Sequence, residues 1–218
     1  MTQPKAFLFD LNGTMIDDMD FHINAWHEIL NGLGANISLE RVKEECYGKN
    51  GELLERVFPG RFSEEEKTKM SYDKETAYQV TFRPSLKLLD GLDDFLARAS
   101  DENIPMAIGS AAIIYNIDFV LDGLNIRHYF PVIVAAENVA MSKPDPETYL
   151  KCADQLGVSY GNCIVFEDAP KGVEAAKNAG MQCVVLTTMH TEEEFSRYDN
   201  IICFVKDYTD TQLNHLFQ

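Results

Sequence analysis

The chain is poor in basic residues, has few and scattered cysteines, and contains no long hydrophobic run. No stretch approaches the ~20 consecutive apolar residues that cross a bilayer, and the N-terminus lacks the apolar segment of a signal peptide. A cytoplasmic protein is expected, with no membrane partner. Only 19 Lys and Arg stand against 35 Asp and Glu, and the resulting net charge of −16 repels polyanions over the whole surface. That excludes nucleic acid as an expected partner. It also sets a condition: if the substrate is anionic, a metal ion or a few placed lysines must supply local positive charge. Cys46, Cys152, Cys163, Cys183 and Cys203 are odd in number and lack metal-ligand spacing, so they read as reduced thiols rather than a disulfide framework. Internal repeats and low-complexity tracts are also missing.

With 218 residues, the chain can form one large α/β domain, or a domain with a smaller insertion. Its organising stretch is Lys5-Ala6-Phe7-Leu8-Phe9-Asp10-Leu11-Asn12-Gly13-Thr14. The apolar first half suits a strand buried on both faces of a parallel sheet. Asp10 ends it, at the edge where ligands bind in open α/β sheets, and Gly13 permits close approach of the backbone to a phosphate. Helical spacing follows: Phe21, Ala25, Trp26, Ile29, Leu30 and Leu33 form one face and Gly34 a stop. Ser38 starts another helix, with Arg41 at its third position. A short helix bears Leu53, Leu54, Val57 and Phe58, and Ser63 with Glu66 forms a capping box for a helix reaching about Val80.

From Leu86 onward helices and strands alternate, which implies right-handed crossovers and a parallel sheet. The expected fold is α/β: a Rossmann-like three-layer core with a mostly parallel sheet, plus an inserted all-helical cap. Residues 1–16 and 83–218 make the core, and residues 17–82 the cap, lying over the edge that carries Asp10.

Four strand ends carry polar groups: Asp10, Ser110, Lys143 within Ser142-Lys143-Pro144-Asp145-Pro146, and Glu167-Asp168. Each has an ordinary structural explanation. Asp10 could start a turn, Ser110 and Asp168 could cap helices, and Lys143 and Glu167 could be solvated charges. Their order along one sheet edge points instead to a shared site.

The sequence resembles the haloacid dehalogenase superfamily of phosphotransferases, in the subgroup with a helical cap after the first strand that includes β-phosphoglucomutase and small sugar-phosphate phosphatases. The resemblance rests on Phe9-Asp10-Leu11-Asn12-Gly13-Thr14 for the usual DxDGT, Ile108-Gly109-Ser110-Ala111, Ser142-Lys143-Pro144, and Phe166-Glu167-Asp168-Ala169 with Gly172 to Gly180. It implies that Asp10 is the nucleophile, taking the phosphoryl group as an aspartyl-phosphate. Ser110, with Ala111 beside it, and Lys143 resemble the phosphate clamp. Asp10, the Asn12 backbone carbonyl, Asp168 and Glu167 resemble a Mg²⁺ site, an oxygen-only set that suits this hard cation. Magnesium and Lys143 would meet the demand for local positive charge. His22 is similar to a cap histidine that touches substrate, and is equally readable as structural. Lys74 resembles a cap lysine that steers phosphate, and is also readable as a solvated helix charge.

Two positions depart from the pattern. Asn12 stands where the family's acid/base aspartate belongs, and an amide cannot exchange a catalytic proton near neutral pH. In the loop Gly48-Lys49-Asn50-Gly51, Lys49 is the sole nearby cation where β-phosphoglucomutases carry an arginine for the substrate's other phosphate. The expectation is therefore a Mg²⁺-dependent, monomeric phosphatase for a small phosphorylated metabolite. A β-phosphoglucomutase-type isomerase, or a weakly active phospho-ligand-binding protein, are the alternatives.

Overall fold

The computed structural model describes residues 5–218. Six strands form one sheet: β1 (Ala6–Phe9), β2 (Met106–Gly109), β3 (Val132–Val134), β4 (Cys163–Glu167), β5 (Gln182–Leu186) and β6 (Ile201–Val205). Their order is β3-β2-β1-β4-β5-β6, and every neighbouring pair is parallel. The expected Rossmann-like α/β fold is present. The chain runs outward from β1 through β2 to β3, then returns to place β4 on the other side of β1. The crevice beyond the C-terminal ends of β1 and β4 is thus a topological switch point, the usual ligand position in such sheets.

β1 is apolar throughout because it is covered on both faces: all four residues are fully buried. Phe7 and Phe9 face one core layer, and Ala6 and Leu8 face the other. On the first face Phe9 stacks on Phe166 of β4 with ring centroids 4.6 Å apart. Phe95 packs edge-on against both Phe9 and Phe166. Each such aromatic pair adds about 0.5–1.5 kcal/mol beyond its buried area, and this cluster fixes β1 and β4 side by side.

Between β1 and β2 the chain forms α1 (Met19–Gly32), α2 (Leu39–Glu45), α3 (Asn50–Val57) and α4 (Glu64–Phe82). This insertion has its own apolar centre, with Ile23, Trp26 and Leu30 of α1 against Val42, Leu53 and Leu54. Ser38 Oγ accepts from the Arg41 N–H. Ser63 and Glu66 close the expected capping box at the start of α4. The remaining helices are α5 (Leu92–Asp101), α6 (Ile114–Gly123), α7 (Glu147–Leu156) and α8 (Pro170–Asn178), whose first residue is the expected proline. The cysteines are all free thiols. No helix among the described residues is long and apolar enough to cross a membrane.

Candidate active site

Register brings the chemistry together. Phe9 pairs with Phe166 and with Ile108, so the residues that follow, Asp10, Glu167-Asp168 and Gly109-Ser110, leave the sheet at one level. Lys143 enters from the loop before α7, and its ammonium donates to Asp10 Oδ1 at 2.6 Å and to Glu167 Oε1 at 2.7 Å. Glu167 is fully engaged: Oε1 also accepts from the Tyr149 hydroxyl, and Oε2 takes the backbone N–H groups of Asp168 and Ala169. Asp168 Oδ1 accepts from Thr14 Oγ1 at 3.2 Å.

Ligand atoms of Asp10, Glu167 and Asp168 lie within 4.8 Å of one another, and all three residues are buried. Burial pushes the Asp10 carboxyl up to about 7, against the opposing pull of Lys143 and with added repulsion from Glu167. Asp168 is raised well above the usual carboxylate range, by burial first and then by Glu167 and Asp10. Burial alone would lower Lys143, but Asp10 and Glu167 outweigh it and hold the ammonium charged. One lysine for three carboxylates leaves the cluster short of positive charge. Hard oxygen donors in that condition suit a divalent cation.

The sheet edge forms the floor of a cavity of about 140 Å³, roofed by the helical insertion. Where floor and roof meet, Asn12 Nδ2, in the loop after β1, donates to Asp18 Oδ2 at 2.5 Å and lies 3.0 Å from His22 Nε2. Asp18 Oδ2 also accepts from Tyr78 and His22. Burial would raise the Asp18 carboxyl, but His22 together with the Tyr78 and Asn12 donors outweighs that and lowers it. Lys74 Nζ lies 2.5 Å from His22 Nδ1 and 2.9 Å from Glu75 Oε1.

Asp10, Asn12, Ser110, Ala111, Lys143, Glu167, Asp168, His22 and Lys74 all line this cavity. Lys74 is 2% exposed, and His22 is 6% exposed and stacked on Tyr78; neither is a solvated surface group. Lys49 is not brought to the cavity. Its ammonium donates to the carbonyls of Val139 at 2.5 Å and Ala140 at 3.1 Å and faces a separate groove. Two backbone acceptors in the loop after β3 outcompete the cavity for that flexible side chain.

Sequence reading missed Asp18, Glu75 and Lys171, all buried or half-buried near the site. Lys171 lines the cavity, and its ammonium lies 4.5 Å from the centroid of the Tyr47 ring, with no carboxylate partner among the described residues. Its place one turn past Asp168 in the fourth motif was the available signal.

Two glycines keep the carboxylates in position. A Cβ on Gly172 would overlap the Glu167 carboxylate, and one on Gly13, where φ is +73°, would overlap that of Asp168. At an unconstrained helix position, Gly→Ala stabilises by about 1 kcal/mol. Gly172→Ala is expected to do the reverse and destabilise by about 1–3 kcal/mol through overpacking. Denaturant titration checks the sign; a more stable variant would mean that Glu167 can move freely.

The family profile described as "Haloacid dehalogenase-like hydrolase" matches residues 7–186 of this chain. The fructose-1-phosphate phosphatase YqaB of Escherichia coli (strain K12) is 29% identical over 82% of this chain and 94% of its own. A β-phosphoglucomutase of Bacillus subtilis (strain 168) is 32% identical over 83% of this chain and 82% of its own. Among solved structures, a family IA, variant 3 HAD hydrolase from Entamoeba histolytica superposes with a TM-score of 0.86 at 27% identity, covering 98% of this chain and 97% of that one.

Proposed function

We propose, from the premise that this chain belongs to the haloacid dehalogenase-like hydrolase family, that it is a magnesium-dependent phosphatase for a small phosphorylated metabolite, working through an aspartyl-phosphate on Asp10. The observation that carries this reading is Asp10, at the end of a buried strand, hydrogen-bonded to Lys143 and clustered with Asp168 and Glu167. The curated relatives include a phosphatase of a sugar phosphate, as its name states.

Asp10, Asp168 and the Asn12 carbonyl would hold magnesium, with Glu167 behind them. When bound, the ion would neutralise phosphate oxygens that the carboxylates would otherwise repel. Lys143 would hold Asp10 by Oδ1 and offset charge on the transferring group. An Asp10 carboxylate oxygen attacks phosphorus, the bond from phosphorus to the ester oxygen breaks, and the leaving oxygen takes up a proton from water. Water then attacks the aspartyl-phosphate, releasing inorganic phosphate and restoring Asp10. Ser110 would orient the phosphoryl group. Residues 17–82 act as a cap in this reading, with Lys74 lining the cavity from the cap side, where it is paired with Glu75, and Lys171 of the core adding positive potential in an otherwise acidic protein. Hydrolysis is preferred to isomerisation because the Lys49 ammonium, the expected cation for a second phosphate, is held by two carbonyls.

The direct test is incubation with acetyl phosphate and magnesium, followed by intact mass and hydroxylamine sensitivity. Phosphorylation at Asp10 is expected, and its absence together with no phosphate release from sugar phosphates would end the reading. Magnesium affinity should also depend on pH. Without a metal ion, burial pushes the Asp10 carboxyl up to about 7 and Asp168 well above its usual range, even with Lys143 beside them. The ion must displace those protons, so binding weakens as pH falls through 7. The magnesium-induced rise in Tm is therefore expected to be larger at pH 8 than at pH 5.5. An equal rise at both values would remove these carboxylates from the metal site.

A further inference from the structure

Lys49 has no place in the cavity; what it holds is the segment that presents Lys143. Residues 139–146 lie ahead of α7 and form neither helix nor strand. On the core side, Glu147 Oε2 accepts the N–H groups of Ala140 at 2.7 Å and Met141 at 3.3 Å. Asn178 Nδ2 donates to the Pro144 carbonyl at 3.0 Å. Three further bonds come from the helical insertion. Lys49 Nζ donates to the carbonyls of Val139 and Ala140, and Glu52 Oε2 accepts from the hydroxyl of Ser142, the residue before Lys143. The same Glu52 oxygen accepts the Lys49 N–H at 3.1 Å, which ties the two residues together at the start of α3. Gly48, with φ +72°, makes room for this contact: a Cβ there would lie 2.5 Å from Glu52 Oε2 and 2.8 Å from Ser142 Oγ.

A segment without secondary structure owes its shape to such side-chain bonds, and here they come from two separate parts of the chain. The core takes two of its amides, and the insertion takes two of its carbonyls and the Ser142 hydroxyl. The next residue, Lys143, must keep its ammonium within hydrogen-bond reach of Asp10, where it stands at 2.6 Å. A misplacement of about 1 Å in a reacting constellation costs on the order of 10²-fold in rate. Insertion and core also touch elsewhere, without involving this segment: Gln79 Nε2 of α4 donates to the Tyr115 carbonyl of α6 at 3.3 Å.

We propose that Lys49 and Glu52 are positioning residues for Lys143: by gripping residues 139–142 they fix the backbone from which the lysine reaches Asp10, so that phosphoryl transfer runs at full rate only while the start of α3 is seated there. This rests on the phosphatase reading and adds a link from the insertion to one catalytic side chain.

The test measures single-turnover phosphorylation of Asp10 by acetyl phosphate and magnesium in wild type, Lys49→Met, Glu52→Ala, Lys49→Arg and Gln79→Ala. Lys49→Met and Glu52→Ala are each expected to slow it roughly 10-fold, or about 1.4 kcal/mol, the scale of one hydrogen bond to a charged group. The magnesium-induced rise in Tm should stay as in wild type, since neither side chain touches the carboxylates that would hold the ion. Lys49→Arg, whose guanidinium can donate to both carbonyls, is expected to keep most of the rate. Gln79→Ala loosens the insertion away from the segment and should stay within about twofold of wild type. Wild-type rates in Lys49→Met and Glu52→Ala overturn the inference. An equal loss in Gln79→Ala also overturns it, because general seating of the insertion would then explain the effect. If Glu52→Ala does not fold, the Lys49 pair and Gln79→Ala decide. Failure of wild type to form any phosphoenzyme instead overturns the phosphatase reading beneath it.

Discussion

Asp10→Asn is expected to abolish phosphatase turnover while leaving the protein as stable as before, or more so. Loss of a covalent nucleophile costs roughly 10⁴–10⁶-fold in kcat, and no phosphoenzyme should form with acetyl phosphate. The stability half of the expectation follows from the electrostatics. The Asp10 carboxyl is raised from 3.8 to about 7 in the folded protein. A group whose folded pKa is raised contributes stability that is fully present below its unfolded pKa and lost as pH rises through the folded one. Without magnesium, ionised Asp10 therefore destabilises the fold above pH 7. The amide is nearly isosteric, carries no charge to bury, and can still accept from Lys143 through its carbonyl oxygen. At pH 8 and without magnesium, the Asp10→Asn variant should melt at or above the wild-type Tm, and should gain less from added magnesium. Residual turnover above about 1% of wild type would place the nucleophile elsewhere. A sharply lower Tm would mean that the Asp10 to Lys143 ion pair holds the site together more than it strains it.

The residues that carry this expectation were legible because each ends a strand. Apolar runs followed by Asp10, Ser110 and Glu167-Asp168 reveal their own position, since the sheet edge follows from local pattern alone. Capping and stop signals were equally local: the box of Ser63 with Glu66, Pro170 at a helix start, and Gly157 in the left-handed region with φ +69° as a helix stop. What stayed hidden depends on contacts between distant parts of the chain. Asp18 and Tyr78 are hydrogen-bonded across 60 residues, and Asn50 and Glu75 across 25. Nothing in either local stretch marks one as the partner of the other. Lys49 eludes the sequence for a related reason: its neighbours Gly48 and Asn50 line the cavity, but the direction of a long flexible side chain is decided by acceptors 90 residues away.

The last expectation concerns Asn12, whose carboxamide donates to Asp18 and cannot itself exchange a proton near neutral pH. If the proposed reaction uses this position for acid/base help, introducing a carboxylate with Asn12→Asp should raise the rate of sugar-phosphate hydrolysis by roughly 10²–10⁴-fold, the contribution of a positioned acid/base group. The surroundings favour the protonated form that a general acid needs. Asn12 Nδ2 lies 2.5 Å from Asp18 Oδ2, so a carboxylate introduced in its place would face an ionised, buried carboxylate, and two such groups cannot both stay charged. One of them would hold a proton near neutral pH and titrate jointly with the other. The same crowding, with the loss of the amide donor, should lower the Tm of the variant. Acetyl phosphate expels a weakly basic leaving group and needs little protonation, so its transfer to Asp10 should change far less than that of a sugar phosphate. Water attack on the aspartyl-phosphate would gain a base, and the phosphoenzyme should decay faster than in wild type. Single-turnover phosphorylation and dephosphorylation, measured for both proteins across leaving groups of graded acidity, test all of this together. Equal rates in the two proteins, with no dependence on leaving-group acidity, would show that proton transfer is supplied elsewhere; His22, 3.0 Å from the Asn12 amide, would then be the first group to replace.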